Sequence, residues 1–306
     1  MPFHPQVVSM MKKREAIGAR SISEFEAVEA RKVSVTNSKP FKRKPVAVAK
    51  KQDRKIRGPA GVIPIRVYTP KGREPFPIVV YFHGGGWVVG SIDSLEEATS
   101  ILASSAEAVV VSVDYRLAPE HRFPAAPEDC YAAAQWASEH AEEIGGDADR
   151  LVVSGDSAGG NLSAAVCLMA RERGGPKIAL QLLVYPLVDF TRDMSKFAKK
   201  EYGPTPVECG WFMKNYFGSV SDVVNPLASP LLADLGGLPP AAIVTAQYDT
   251  FTEQADDYAS KLRDAGVKVT RKEFKGMTHG FWGLPGYFDL GREAVEWGAV
   301  QVRKLR

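Results

Sequence analysis

The chain has 306 residues, of which 45% are hydrophobic, and its 39 basic and 36 acidic side chains leave a net charge of +3. This length is enough for a full core in one large α/β domain, or in one domain with a small addition, and the nearly balanced charge argues against nucleic acid as the main partner. The three cysteines, Cys130, Cys167 and Cys209, are too few and too irregularly spaced for a disulfide scaffold or a zinc site.

The first 45 residues fit the pattern of the remaining chain poorly. They predict one helix over 5–17 and then polar chain, and they contain no apolar stretch of the kind found in signal peptides. A run of about 18 apolar residues, as a membrane span needs, occurs nowhere in the sequence. We therefore expect a cytoplasmic protein without stable membrane association.

From residue 46 onward, short apolar runs alternate with longer segments of helical periodicity, which predicts a mainly parallel sheet covered by helices. The predicted strands are an edge strand at 46–56 and then 62–68, 78–82, 109–113, 151–154, 180–185, 242–246 and 267–274. The predicted helices are 96–105, 127–140, 158–173, 253–265 and 291–302. The central runs are almost entirely Val, Ile and Leu, as expected of strands buried on both faces.

Nine basic residues and a single acidic one, Asp53, lie between positions 39 and 57. A solvated edge strand with its linker is one explanation. A basic rim that attracts anionic substrates or membrane surfaces is the other, and nothing else in the sequence supports it.

A second irregular region, 188–225, separates two predicted strands and holds several aromatic residues. Phe212 and Tyr216 share a helical face, which fits either packing of a lid on the core or contact with substrate. The insertion follows the carboxyl end of a strand, where α/β sheets bind ligands. We predict that 1–45 and 188–225 form a cap over the active site. The core is then formed by 46–187 and 226–306.

Residues 152–161, VVSGDSAGGN, predict a strand, a sharp turn at Ser157 and a helix. Such a turn strains the backbone of the serine, so the residues two positions away on either side must lack bulk, as Gly155 and Gly159 do. Ser157 then lies at the N-terminus of a helix, where free N–H groups favour developing negative charge. Ser157 is the predicted nucleophile.

A serine hydroxyl needs a general base, and the imidazole that serves it needs a carboxylate to fix its tautomer. His279 is the only one of five histidines that follows Ser157, and it lies in a glycine-flanked loop after the last predicted strand. Asp249 comes just after the strand at 242–246 and is the predicted acid. The competing carboxylates fall inside the following predicted helix: Glu253, Asp256 and Asp257.

The sequence HGGGW at 83–87 is typical of a loop that stabilises an oxyanion. The predicted donors are the backbone N–H groups of Gly84, Gly85 and Ala158, and one such donor typically contributes on the order of 10²–10³ in rate. His83 and Asp156 are expected to support the neighbouring loops by hydrogen bonds. The predicted substrate-pocket residues are Trp87, Tyr185, Phe212 and Phe281, with core packing an equal alternative for Trp87.

Four motifs, HGGG at 83–86, YRLAPE at 115–120, GDSAGG at 155–160 and HGF at 279–281, together resemble one protein family. This is the hormone-sensitive-lipase family of bacterial and archaeal carboxylesterases, also known as family IV, in its GDSAG branch. The resemblance implies an α/β-hydrolase fold with an eight-stranded, mostly parallel sheet and a helical cap. It implies hydrolysis of short to medium acyl esters through a Ser–His–Asp triad and an acyl-enzyme, with no cofactor. It also implies a homodimer formed through the last strand, 267–274.

Other functions use the same residues or the same scaffold. An amidase, a deacetylase and an acyltransferase share the chemistry up to the acyl-enzyme, so the sequence does not separate them from an esterase. A catalytically inactive ligand receptor is the alternative outside enzymes. The joint presence of Ser157, Asp249 and His279 argues against it.

Overall fold

The computed structural model describes residues 2–193 and 203–305. Eight strands form one sheet: β1 (Lys50–Gly58), β2 (Gly61–Thr69), β3 (Phe76–Phe82), β4 (Val109–Val113), β5 (Gly146–Asp156), β6 (Leu180–Val184), β7 (Ala241–Tyr248) and β8 (Val269–Thr278). Their order is β1-β2-β4-β3-β5-β6-β7-β8, with antiparallel pairing at β1–β2 and β2–β4 and parallel pairing elsewhere. The predicted eight-stranded, mostly parallel sheet is confirmed.

The helices are α1 (Pro5–Ala16), α2 (Ala27–Ser38), α3 (Glu96–Ala106), α4 (Ala125–Glu139), α5 (Ala158–Arg173), α6 (Pro206–Tyr216), α7 (Thr252–Asp264) and α8 (Asp289–Arg303). The 3₁₀ turns are Ile22–Glu24, Lys39–Phe41, Ile92–Ser94, Glu142–Ile144, Val220–Val224, Pro230–Leu232 and Phe281–Gly283. Buried side chains of α4, α5 and α7 form one core with the sheet, and those of α3 and α8 form a second core. Because successive side chains of a strand point to opposite faces of the sheet, the sheet contributes side chains to both cores. In β3, Ile78, Val80 and Phe82 belong to the first core, and Val79 and Tyr81 belong to the second.

Helix α2 was absent from the sequence prediction, which assigned polar chain after residue 17. Only Ala27 and Ala30 of this helix are buried, whereas Val28 and Val35 are each 60% exposed. Its sequence therefore carries no apolar stripe, and α2 depends on contacts with the rest of the fold rather than on a local pattern. The prediction of polar chain without a second helix over this segment is wrong.

Part of the basic segment 39–57 is engaged in contacts within the fold. The strand predicted at 46–56 begins at Lys50, and Lys51 pairs with Glu96 at 2.6 Å. Arg54 pairs with Glu143. Burial lowers the pKa of Lys42, whose ammonium donates to the carbonyl oxygen of Asp93. These contacts favour the edge-strand interpretation over a free basic rim.

The second predicted cap segment, 188–225, contains α6 and the 3₁₀ turn Val220–Val224. Residues 194–202 of this predicted segment lie outside the described residues. Within the two described stretches, none of the helices has the length and apolar character needed to cross a membrane.

Candidate active site

The turn between β5 and α5 places Ser157 at the carboxyl edge of the sheet. Ser157 has φ 56° and ψ −114°, which is the strained conformation that the motif predicts, and its N–H donates to Val184 O at 2.9 Å. The two flanking glycines are required because a Cβ at Gly155 or at Gly159 would overlap the carbonyl oxygen of Phe82. The turn can therefore pack tightly against the end of β3.

Ser157, His279 and Asp249 form a continuous hydrogen-bonded chain. Ser157 Oγ and His279 Nε2 are 2.9 Å apart, and His279 Nδ1 and Asp249 Oδ2 are 2.7 Å apart. The Asp249 side chain is fully buried, and its Oδ1 accepts the backbone N–H of Phe251 at 2.8 Å. A carboxylate on Nδ1 keeps the imidazole proton there and directs the Nε2 lone pair at the serine hydroxyl. The structure thus brings the three predicted catalytic residues together.

The predicted oxyanion donors need one correction. The backbone N–H of Gly84 donates to Asp156 Oδ1 at 3.0 Å, so it is already engaged, and its assignment as an oxyanion donor is wrong. Gly85 and Gly86 instead line the cavity beside Ser157. Within the described part of the chain, the N–H groups of Gly85, Gly86 and Ala158 have no acceptor. These three amides are the available donors.

Asp156 and His83 support this loop, as the sequence predicted. Asp156 Oδ1 also accepts the Tyr81 hydroxyl at 2.9 Å, and burial raises the pKa of the Asp156 carboxyl. Burial lowers the pKa of His83, which favours the neutral ring, and its Nδ1 lies 2.8 Å from Gly84 O, to which an Nδ1–H donates. Tyr115 stacks on the His83 ring with the centroids 4.3 Å apart, and its hydroxyl donates to His83 O. The backbone of Gly84 is therefore held at its N–H by Asp156 and at its carbonyl oxygen by His83.

A pair of substitutions at Asp156 separates its hydrogen bonds from its charge. Asp156→Asn keeps an oxygen acceptor for Tyr81 and Gly84, so we expect kcat and stability close to those of the parent. Asp156→Ala leaves both buried donors without an acceptor, which should lower the free energy of unfolding by about 1–3 kcal/mol per donor. Urea denaturation and steady-state kinetics of both variants measure this. Equal losses in the two variants would show that the charge itself is needed.

The predicted pocket residues divide into two groups. Trp87 and Phe212 line the cavity, while Trp87 is also buried and stacks on Tyr216 at 4.4 Å, so for Trp87 both interpretations hold. Tyr185 and Phe281 are fully buried and do not line the cavity. Tyr185 packs under the imidazole of His279 at 4.5 Å and against Phe281 at 5.8 Å. Their assignment to the pocket is wrong, because both rings support the histidine loop from the core side.

Phe251 is a site residue that sequence reasoning missed. It lines the cavity, and its ring meets the edge of the His279 imidazole at a centroid distance of 5.2 Å. The available sequence signal was its position two residues after Asp249. At this spacing the Asp249 carboxylate accepts the backbone N–H of Phe251.

A cavity of about 1100 Å³ opens onto Ser157 and His279. Its walls come from both predicted cap segments as well as from the core. The cap segments contribute Met10, Ile22, Phe190, Phe212 and Met213, among others, and the core contributes Leu187. All three cysteines are buried and free, and burial raises the pKa of the Cys209 thiol in the cavity wall to about 12. In the described stretches, no group of three or more His, Cys, Asp or Glu side chains is arranged to hold a metal ion.

Comparison with known proteins agrees with this geometry. Residues 79–283 match the model of a family described by the alpha/beta hydrolase fold. Relatives include the carboxylic ester hydrolase LipN of Mycobacterium tuberculosis, with 45% identity over 249 residues. That match covers 78% of this chain and 65% of LipN, so the chain spans just under two thirds of that relative's length. An arylesterase of Saccharolobus solfataricus is 37% identical, with 93% of this chain and 94% of the relative covered.

Solved structures give the same result. The hyperthermophilic esterase from the archaeon Pyrobaculum calidifontis superposes with a TM-score of 0.93 at 37% identity, covering 100% of this chain and 99% of that one. An ester hydrolase from the metagenome of Lake Arreo superposes with a TM-score of 0.94 at 35% identity, covering 99% and 98%. The resemblance read from the four motifs is confirmed, and the chain belongs to the α/β hydrolase fold family.

Proposed function

We propose that this carboxylic ester hydrolase cleaves short to medium acyl esters through an acyl-enzyme formed on Ser157. The observation that carries the proposal is the chain of hydrogen bonds from Asp249 through His279 to Ser157, at 2.7 and 2.9 Å, at the edge of a cavity. The base is within hydrogen-bond reach of both the nucleophile and the orienting acid before any substrate arrives.

The proposed acylation step uses these three residues and the free amides. His279 Nε2 accepts the proton of Ser157 as Oγ bonds to the acyl carbon, and the carbonyl oxygen becomes an oxyanion. The N–H groups of Gly85, Gly86 and Ala158 donate to that oxyanion. His279 then gives its proton to the leaving oxygen, the bond from the acyl carbon to this oxygen breaks, and the alcohol departs.

Deacylation repeats the sequence with water as the nucleophile. His279 takes a proton from the water as the water oxygen bonds to the acyl carbon. When the second tetrahedral intermediate collapses, the bond from the acyl carbon to Ser157 Oγ breaks and His279 returns this proton to Oγ. Asp249 stays ionised throughout and stabilises the imidazolium in both steps. The products are a carboxylic acid and the free enzyme.

A panel of 4-nitrophenyl esters with acyl chains of graded length tests the proposal. We expect kcat/KM to be highest for short and medium chains and to fall for long ones, with phenyl acetate also cleaved, as the name of the arylesterase relative suggests. The matched 4-nitroanilides, which share the acyl-enzyme, distinguish an esterase from an amidase. Hydrolysis of the anilides alone, or of no ester in the panel, would contradict the proposal.

Two further expectations remain proposals. A homodimer through the last strand is compatible with the position of β8 at the edge of the sheet, and sedimentation of the full chain would measure it.

Residues 1–45 and 188–225 are proposed to act together as a cap, because residues from both contribute walls to the same cavity.

A further inference from the structure

Arg31 on helix α2 reaches two backbone carbonyls that lie outside its own helix. Its Nε donates to Val88 O and its Nη2 to Ala118 O, each at 2.9 Å. The same guanidinium makes a bidentate pair with Glu120, at 2.8 Å from Nη1 and 2.6 Å from Nη2. One side chain therefore joins the N-terminal segment to two separate loops of the core.

Both carbonyls belong to the framework of the loop that carries the free amides. Val88 lies two residues after Gly86, and the N–H groups of Val88 and Val89 both donate to Gly85 O, at 3.2 and 2.9 Å. The N–H of Ala118 donates to Trp87 O at 2.9 Å. Arg31 therefore holds this loop at Val88, and Ala118 holds the same loop at Trp87.

This loop needs external support because its backbone is strained. Gly85, Gly86 and Trp87 have φ values of +120°, +58° and +61° in succession. Glycine adopts positive φ at little cost, but a tryptophan in this region typically costs about 1–3 kcal/mol, so Trp87 keeps its conformation only where the surroundings hold it. The directions of the Gly85 and Gly86 N–H groups follow from these torsion angles.

The chemistry of the contact suits arginine and no other side chain. A planar guanidinium can donate to a carboxylate and to two carbonyls at once in fixed directions, whereas an ammonium presents a single centre on a flexible stem. The Arg31 guanidinium lowers the pKa of Glu120 to about 2, so the pair is charged at neutral pH. Arg31 is not among the residues that line the cavity, so any influence on the reaction passes through the loop.

We propose that Arg31 is a positioning residue, which holds Val88 and thereby aims the Gly85 and Gly86 N–H groups at the oxyanion. The proposal rests on the proposed esterase function. It gives helix α2 a role in transition-state stabilisation, in addition to any role in covering the cavity. Arg31 itself touches neither the substrate nor the catalytic residues.

Arg31→Gln is the principal test, with a 4-nitrophenyl ester as substrate and a trifluoromethyl ketone as probe. The ketone adds to Ser157 and places a negative oxygen where the oxyanion forms. We expect kcat to fall by about 10- to 100-fold, as for a misplaced catalytic group, with KM changed by less than about 3-fold. The inhibition constant of the ketone should rise by the same factor as kcat falls, while that of the carboxylic acid product stays unchanged.

Three matched variants test whether the loss of kcat arises from the carbonyl contacts of Arg31. Arg20→Gln removes another arginine of the N-terminal segment, which pairs with Glu24 and does not contact the glycine loop, so kcat should be unchanged. Glu120→Gln leaves both carbonyl contacts of Arg31 in place and should retain most of the activity. Arg31→Lys can restore one of those contacts, so its kcat should lie between those of the parent and Arg31→Gln.

The outcomes separate the proposal from its alternatives. Titration of active serines with a fluorophosphonate counts the folded enzyme, and kcat is expressed per active site. A loss of activity that only follows a loss of active sites, or a lower kcat with an unchanged ketone constant, would overturn the positioning role. A loss in Glu120→Gln equal to that in Arg31→Gln would overturn the route through Val88. If the parent enzyme itself resists the ketone, the proposed function has failed and not the inference about Arg31.

Discussion

Replacing Ser157 by alanine is expected to reduce kcat for a 4-nitrophenyl ester by on the order of 10⁴-fold or more, which is the usual cost of losing the nucleophile of a triad. The hydroxyl removed lies 2.9 Å from His279 Nε2 and is the only proposed bond-forming group. The single missing oxygen lies in a turn whose glycines stay in place, so folding should be preserved. Circular dichroism and urea denaturation provide the control, and substantial remaining hydrolysis would contradict the assignment.

His279→Ala should cost nearly as much, and the double variant should cost little more than either single one. Because the three residues act as a unit, their effects are far from additive. In the parent, kcat/KM should rise with pH, because general-base catalysis requires the unprotonated form of the base. A profile that stays flat from about pH 5 to about pH 9 would exclude an imidazole as the base.

The meeting of Ser157, His279 and Asp249 could be predicted from the sequence because each position is defined by local rules. Ser157 is marked by the residues around it, and Asp249 and His279 are marked by following predicted strands in the order that a parallel sheet requires. Parallel strands bring their carboxyl ends to one edge, so residues distant in sequence meet there without further information. The strand predictions were reliable in the centre of the sheet for another reason, because strands buried on both faces consist of nearly continuous apolar residues.

The choice of amides in the glycine loop depended on information that the motif does not contain. Three consecutive glycines look equivalent in the sequence, and only the carboxylate of Asp156, which is brought to Gly84 from another strand, distinguishes the first from the next two. Tyr185 and Phe281 illustrate a similar limit. Both are adjacent to catalytic elements in the chain, but strand and loop geometry turns their rings into the core below His279.

Helix α2 was missed for a different physical reason. Sequence periodicity detects a helix by the face it buries, and α2 buries only two alanines. Its attachment to the core also includes polar contacts, which Arg31 makes with Val88, Ala118 and Glu120. An arginine that binds distant carbonyls has the same appearance in a sequence as an arginine in solvent.

Gly159→Ala is expected to prevent folding, or to lower the free energy of unfolding by about 3 kcal/mol or more, at the upper end of what overpacking costs. The added Cβ would overlap the carbonyl oxygen of Phe82 and approach the backbone of His83. Backbone atoms at the end of a central strand cannot turn aside as a flexible side chain does. Soluble yield and urea denaturation would measure the loss.

Gly210→Ala is the matched control, because it makes the same chemical change within helix α6. Apart from its two chain neighbours and the backbone of its own helix, no described atom lies within 4 Å of the added Cβ, and alanine is favoured over glycine inside a helix by about 0.5–1 kcal/mol. This variant should therefore be slightly more stable than the parent. If Gly159→Ala were equally stable, α5 could not approach β3 as closely as described. That approach also brings Ser157 beside Gly85 and Gly86, so such a result would separate the proposed nucleophile from its oxyanion donors.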